Sequence, residues 1–299
     1  MTGAKIRARI RIGLAQTTTG LSPERNAAHL AQAIGELAEQ GADAVFLPEM
    51  CGLLDRDGRR LRAAARTEAE DPVLATLRRA AADGRVVVAV GSLAIRTADS
   101  ERLSNRSFVL GADGRILARY DKMHLFDVEL PNGERYRESA GFRAGEGAQL
   151  VDLPFGRLGL AICYDLRFPE LHAALARAGA QLIAQPASFT VPTGTAHWHV
   201  LLRARAIETG CFVVAAAQSG LHEDGRATYG HSLVVNPWGE VLLDMGEGAG
   251  TAIVDLDLAE VEAARARIPS LRHARAIGRP ALSGTMADTM AGAMTDTTP

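Results

Sequence analysis

The chain has 299 residues, enough for one large α/β domain or two ordinary ones. Hydrophobic residues make up 47%, charged residues 23%, and the formal net charge is -2, so nothing in the balance points to nucleic acid or an anionic membrane as a partner. The cysteines Cys51, Cys163 and Cys211 are sparse and lack CxxC spacing, which excludes a disulfide framework or a cysteine zinc site and suits a reducing compartment.

The opening stretch "MTGAKIRARIRIGLAQ" has no apolar run of signal-peptide length, and no run in the chain approaches the roughly 20 residues of a membrane span. A soluble cytoplasmic protein is therefore expected. "RIRIGLAQ" reads as the first strand. "SPERNAAHLAQAIGELAEQGA" reads as a helix with Ser22 as N-cap, Pro23 at the first helical position and Gly41 as C-cap. "DAVFLPE" is a short buried strand that ends at Pro48 and Glu49. A second helix, "EDPVLATLRRAAADG", and a long apolar strand, "RVVVAVGSLAI", follow. The basic run "RDGRRLRAAAR", which precedes this helix, reads as a solvated helix face.

"NRSFVLGADGRILARYDK" changes the pattern, because two alternating runs flank "ADG" as in a β-hairpin. "YGHSLVVNPWGEVLLDM" repeats that arrangement downstream, with its turn at 236–239. "EQGADAVFLPE" has an echo in "RAGAQLIAQPA". Two related halves are expected, each with helix–strand units and a hairpin. Hairpins argue against a (β/α)8 barrel, which needs parallel strands throughout. Two mixed sheets packed face to face with helices outside, a four-layer α-β-β-α sandwich, are expected instead. The core pattern fades after "IPSLRHARAIGRP". One domain over 1–280 and a flexible tail over 281–299 are expected.

Within "GLAICYDLRFPEL", Cys163 closes an apolar strand and precedes a helix start. A side chain there lies at the carboxyl end of a strand, where α/β folds place ligands. Backbone N–H groups at a helix start would favour a thiolate and hold an oxyanion. Two readings of Cys163 stay open on this reasoning, a nucleophile or a small core residue. Cys211, inside "TGCFVVAAAQ", suits the core. A nucleophilic thiol needs a base or a nearby cation. His124, His197 and His231 are candidates for the base. His197 and His199 face different ways on a helix and make a poor metal pair, and no HExxH spacing occurs, so no metal site is expected. Glu49 is another candidate base, since partial burial after an apolar run raises a carboxyl pKa. Lys122, set in "YDKMHLFD", is either a surface lysine or an ammonium in a water-poor pocket.

"FLPEM", "YDKMHLFDVELPNGERYRES" and "GLAICYDLRFPEL" together resemble the three signature segments of the nitrilase superfamily, the carbon–nitrogen hydrolases. The resemblance runs from about Arg9 to Arg275, and the ordered set of motifs is far more specific than any one alone. It implies a Glu-Lys-Cys triad with Glu49 as general base, Lys122 as oxyanion-binding lysine and Cys163 as nucleophile. It makes Glu138, in "YRES", the second glutamate that lies beside the lysine. It also implies an α-β-β-α fold, a homodimer paired through helices, and no metal or organic cofactor. "RARAIETGCFVVAAAQ" and "YGHSLVVNPWG" resemble the Nit branch, which holds deaminated glutathione amidases and omega-amidases. Thr195 stands where this branch commonly has proline, which bears on the substrate loop.

The reaction implied is hydrolysis of a non-peptide amide on a small carboxylate through a thioester on Cys163, with the backbone N–H of Tyr164 as second oxyanion donor. Deaminated glutathione is the first candidate substrate. 2-Oxoglutaramate is the second and an N-carbamoyl compound the third. Arg167 is a candidate for the substrate carboxylate, or else pairs with Asp165 or Glu170. His197 and Trp198 are candidates for the pocket wall. Two rivals are a silent binding protein on the same fold and a Cys–His hydrolase using His124 or His231.

Overall fold

The α/β units read from the sequence assemble into two mixed sheets in the computed structural model, which describes residues 9–98, 100–130 and 133–280. The first sheet runs Gly250–Asp257, Arg9–Gln16, Ala44–Phe46, Val87–Arg96, Ser104–Leu110, Ile116–Asp121, with the short Arg66–Thr67 also paired to Val87–Arg96. The second runs Gln149–Leu153, Gly156–Leu160, Leu182–Ala184, Phe212–Ala215, Leu233–Val235, Val241–Asp244. Both follow one plan. An antiparallel edge strand flanks three parallel strands, and an antiparallel hairpin follows on the other side. The two halves expected from the sequence echoes are therefore real. Their edge strands differ in origin, because Gly250–Asp257 comes from late in the chain yet pairs with Arg9–Gln16 along its whole length.

Side-chain alternation along the strands builds the layers. Val45, Val88 and Val90 face outward onto Leu30, Ile34 and Leu37 of helix Pro23–Glu39 and Leu74 and Leu77 of helix Pro72–Gly84. Ile12, Leu14, Ala44 and Phe46 face the other way, into one core shared with the second sheet and with helices Pro169–Arg177 and Val191–Thr209. The result is the expected helix–sheet–sheet–helix stack. Ser22 caps helix Pro23–Glu39 and Asp71 caps helix Pro72–Gly84, accepting from the N–H groups of Arg25 and Leu74. Gly41 sits one residue beyond the cap expected for it. The cap is Gln40, and Gly41 takes φ +84 so that its N–H reaches the Ala38 carbonyl while that of Ala42 reaches Leu37. The expected tail over 281–299 lies outside the described residues. No helix among the described residues is long and apolar enough to cross a membrane.

One close backbone approach shapes the region where the strands end. The pairing of Val87–Arg96 with Ser104–Leu110 shifts register between Val90 and Leu93. Gly91 lies in that irregularity, against the segment that carries Glu49. A Cβ there would fall 2.2 Å from the carbonyl oxygens of both Leu47 and Pro48. Backbone atoms cannot swing aside as a side chain can. Gly91→Ala is expected to lower unfolding free energy by about 1–3 kcal/mol, as other overpacked sites do, and to reduce turnover by displacing Glu49. Urea unfolding checks the first effect, and an unchanged transition would contradict it.

Candidate active site

Four of the side chains picked out in the sequence meet over the strand ends. Glu49 follows strand Ala44–Phe46 and is 4% exposed. The next residue, Met50, takes the left-handed φ of 54°, and its N–H donates to Ser92 Oγ at 2.9 Å. Gln218 Nε2 donates to the Glu49 carbonyl at 2.9 Å. With its backbone held, Glu49 points its carboxylate inward, where Oε1 accepts from Lys122 Nζ and Asn105 Nδ2, both at 3.0 Å.

Lys122 follows strand Ile116–Asp121 and is 2% exposed, so the surface reading of this lysine does not hold. Its Nζ also donates to Glu138 Oε1 at 3.1 Å and Oε2 at 2.9 Å. Burial pulls the ammonium pKa down. The carboxylates of Glu138 and Glu49 more than reverse this and leave it well above the ordinary value, so the lysine stays charged. Glu138 is held in turn by the Phe126 N–H at 2.7 Å and Asn105 Nδ2 at 3.1 Å.

Cys163 follows strand Gly156–Leu160 and opens the 3-10 turn Cys163–Arg167, with helix Pro169–Arg177 immediately after. It takes φ 47°, a sparsely populated conformation for a residue with a Cβ. The surroundings fix it there. Its N–H donates to the Pro186 carbonyl at 2.8 Å, and its own carbonyl accepts from Gln185 Nε2 at 3.3 Å. Gln185 Oε1 lies 2.9 Å from Nε2 of buried His172, whose Nδ1 lies 3.1 Å from the Phe168 carbonyl. Asp165, fully buried, locks the turn by accepting from Tyr120 Oη at 2.7 Å and the Ile162 N–H at 2.8 Å, with His124 Nδ1 at 2.6 Å.

Burial pushes the Cys163 thiol well above its ordinary value, and the Glu49 charge adds to this. The Lys122 ammonium and the Ser188 N–H act in the opposite direction and do not prevail. These surroundings favour the thiol over the thiolate, and the Glu49 carboxylate acts on the same sulfur. Cys51 and Cys211 are both wholly buried. Burial pushes the Cys51 thiol up to about 12 and raises that of Cys211.

A cavity of about 640 Å³ opens over this cluster, with Glu49, Lys122, Glu138, Cys163, Tyr164 and Arg167 in its wall. No histidine lines it among the described residues. His124 is engaged by Asp165 and stacked on Phe168, and His231 lies beside Asp244, which leaves the Cys–His alternative without a base in the cavity. Arg167 pairs with neither Asp165 nor Glu170. Its guanidinium lies 3.3 Å from His197 Nδ1 and over the rings of Phe189 and Tyr164. His197 stands behind Arg167 rather than in the wall, and buried Trp198 packs behind Phe189. Thr195 is exposed on helix Val191–Thr209, its hydroxyl turned back to the Val191 carbonyl, away from the cavity.

Sequence reasoning missed Asn105, which ties both glutamates together through one amide nitrogen. Its signal was an asparagine inside a strand, a position that disfavours it. It also missed Ser188, whose N–H reaches the sulfur and which no local pattern marks.

Residues 11–266 match the model of the family described as "Carbon-nitrogen hydrolase". The chain is 42% identical over 238 residues to the deaminated glutathione amidase of Synechocystis sp., covering 78% of this chain and 86% of that one. Among solved structures, the Caenorhabditis elegans NitFhit protein is similar with a TM-score of 0.84 and 38% identity, over 90% of this chain and 65% of that one. Saccharomyces cerevisiae Nit3, a member of branch 10 of the nitrilase superfamily, is similar with a TM-score of 0.80 and 26% identity, over 90% and 97% of the two chains.

Burial lowers the pKa of His172, beneath Cys163, and of His222, which bonds the Thr19 carbonyl and the Thr228 hydroxyl. Both rings bind a proton more readily in the unfolded chain. Their contribution to stability is therefore complete above the unfolded value of about 6.5 and is lost as pH falls below it. Unfolding free energy from urea titrations is expected to be level above that pH and to drop between about pH 6.5 and 5, ahead of the ordinary carboxylate range. A level profile through that window would contradict the assignment.

Proposed function

Because the chain belongs to the carbon–nitrogen hydrolase family, in the Nit branch of the nitrilase superfamily, and is a cysteine amidase, we propose that it cleaves deaminated glutathione to 2-oxoglutarate and cysteinylglycine through a thioester on Cys163. The observation that carries this reading is the meeting of Cys163, Glu49 and Lys122 in the wall of one cavity, with Lys122 Nζ 3.0 Å from Glu49 Oε1. The substrate class rests on similarity to deaminated glutathione amidases together with the cavity's charge. Deaminated glutathione has a carboxylate at each end. Arg167, which has no carboxylate partner among the described residues, lines the cavity near Cys163, and Arg56, Arg135 and Arg226 also stand in the wall. A cavity of about 640 Å³ suits the longer dicarboxylate better than 2-oxoglutaramate, which has one carboxylate and far fewer atoms.

In the proposed reaction, Glu49 takes the Cys163 proton as sulfur attacks the amide carbon. Lys122 Nζ and the Tyr164 N–H receive the negative charge that develops on oxygen. Collapse of the tetrahedral adduct expels the amine, which leaves with the proton from Glu49, and a thioester remains. Water then attacks the thioester carbon, losing its proton to Glu49, and a second collapse returns the proton to sulfur and frees 2-oxoglutarate. Glu138 and Asn105 hold the lysine and the base in place. Arg167, steadied by His197, takes the 2-oxo acid carboxylate.

A coupled assay for 2-oxoglutarate, with deaminated glutathione and 2-oxoglutaramate offered separately, tests the substrate. Higher kcat/KM for deaminated glutathione is expected. Preference for 2-oxoglutaramate, or silence with both, would overturn the substrate and leave the amidase class standing. Glu49→Gln is expected to lower kcat by roughly 10²–10⁴-fold, the range for loss of a general base, and a near-normal kcat would remove Glu49 from that role.

We further propose that the chain pairs with a second copy through the face that carries exposed Ile207, Trp238 and Ile268, which border one surface cavity. Light scattering on the purified chain is expected to give a dimer, and Ile207→Glu a monomer. A wild-type monomer would exclude the pairing.

A further inference from the structure

His199 forms no pair with His197, but it does have partners from far along the chain. His199 projects from helix Val191–Thr209, His231 follows strand Ala227–Tyr229, and Asp244 ends strand Val241–Asp244. His199 Nε2 lies 2.9 Å from Asp244 Oδ2, and His231 Nδ1 lies 2.9 Å from Asp244 Oδ1. Both nitrogens and a carboxylate oxygen fall within 4.8 Å of one another. None of the three residues lines the amidase cavity.

The cluster is held more firmly than its own hydrogen bonds require. His231 takes φ 53°, a conformation rare for a residue with a Cβ. Its N–H donates to the Gly246 carbonyl at 2.7 Å, and its carbonyl accepts from Trp198 Nε1 at 2.8 Å. The Gly246 N–H fixes Asp244 Oδ1 at 2.9 Å. The Tyr229 ring stacks on His231 at 4.4 Å and meets His199 edge-on. That ring is seated against Gly194, where a Cβ would come within 2.2 Å of it. Side-chain exposures of 33%, 21% and 33% for His199, His231 and Asp244 leave the donors open to water on one side. Hydrogen bonds that exposed contribute little stability, so they do not by themselves account for a strained residue held by so many contacts.

We propose that His199 Nε2, His231 Nδ1 and Asp244 bind a divalent transition ion of the Zn²⁺ type, outside the amidase site. Two imidazoles and a carboxylate are a recognised three-ligand set for such an ion, with water completing a tetrahedron. The ion takes the place of the hydrogen atoms now shared with the carboxylate, and each imidazole carries its proton on the other ring nitrogen. No step of the amidase reaction passes through the site. Its effect is mechanical, because it ties helix Val191–Thr209 to the hairpin ending at Asp244. The start of that helix, at Thr190 and Thr193, lies in the wall of the amidase cavity.

Calorimetric titration with Zn²⁺ and visible absorption with Co²⁺ test the proposal, using the full chain with Cys163→Ala so that the cavity thiol does not compete. Saturable binding of one ion per chain, tetrahedral Co²⁺ bands and a raised thermal midpoint are expected. His199→Gln, on the helix surface, and His231→Asn, which tolerates the left-handed backbone, should each weaken binding by roughly tenfold or more. His29→Gln should leave it unchanged. Absence of saturable binding, or equal affinity in His199→Gln and the parent, would overturn the site.

Discussion

A buried ammonium between two carboxylates is the constraint on which the rest of this molecule turns. Lys122, Glu49 and Glu138 are all withdrawn from water, and each is tolerable there only because the others compensate it. Removing one would strand a charge in a medium that cannot solvate it. Asn105 adds a neutral donor to both carboxylates at once, which fixes their spacing without adding charge. Cys163 is brought into this set as a neutral thiol. Its surroundings raise the cost of the thiolate, and the proposed reaction therefore moves the thiol proton to Glu49 during attack.

The repeated architecture explains how these groups meet. "GLAQT" and "GLAIC" occupy matching places in the two halves, so Cys163 corresponds to Thr17. Likewise "FLPE" matches "AQPA", so Glu49 corresponds to Ala187. Each half supplies at a strand end what the other lacks. Gly13 and Gly159 share a structural duty, since a Cβ would press within 2.9 Å of Leu37 in one case and 3.1 Å of Leu175 in the other. The repeat therefore preserves packing while chemistry has diverged at the strand ends.

Much of this was legible in the sequence because it is local. Strand and helix periodicity, Ser22 as a cap, both hairpins and the echoed segments all follow from neighbours in the chain. The ordered motifs identified Glu49, Lys122, Glu138 and Cys163, and the structure brings the four together. The reach of Arg167 was not legible. Asp165 lay close in sequence, yet Tyr120, His124 and the Ile162 N–H had already claimed it, and only the fold could show that. Asn105 and Ser188 escaped notice because their partners lie on other segments. The grouping of His199 with His231 and Asp244 was hidden for the same reason, since its members are joined by sheet pairing and helix packing across separations of 13 and 45 residues.

The central claim is that sulfur rests as a thiol beside a base that takes its proton only as bond formation begins. The ultraviolet thiolate absorbance of the protein, titrated against pH with the Cys163→Ala chain as reference, measures this directly. The account predicts no difference signal until pH passes the ordinary thiol value of 9.0, with Cys51 and Cys211 equally silent. A Cys163 signal rising near neutral pH would mean that Lys122 holds a preformed thiolate, and the role given to Glu49 would fall.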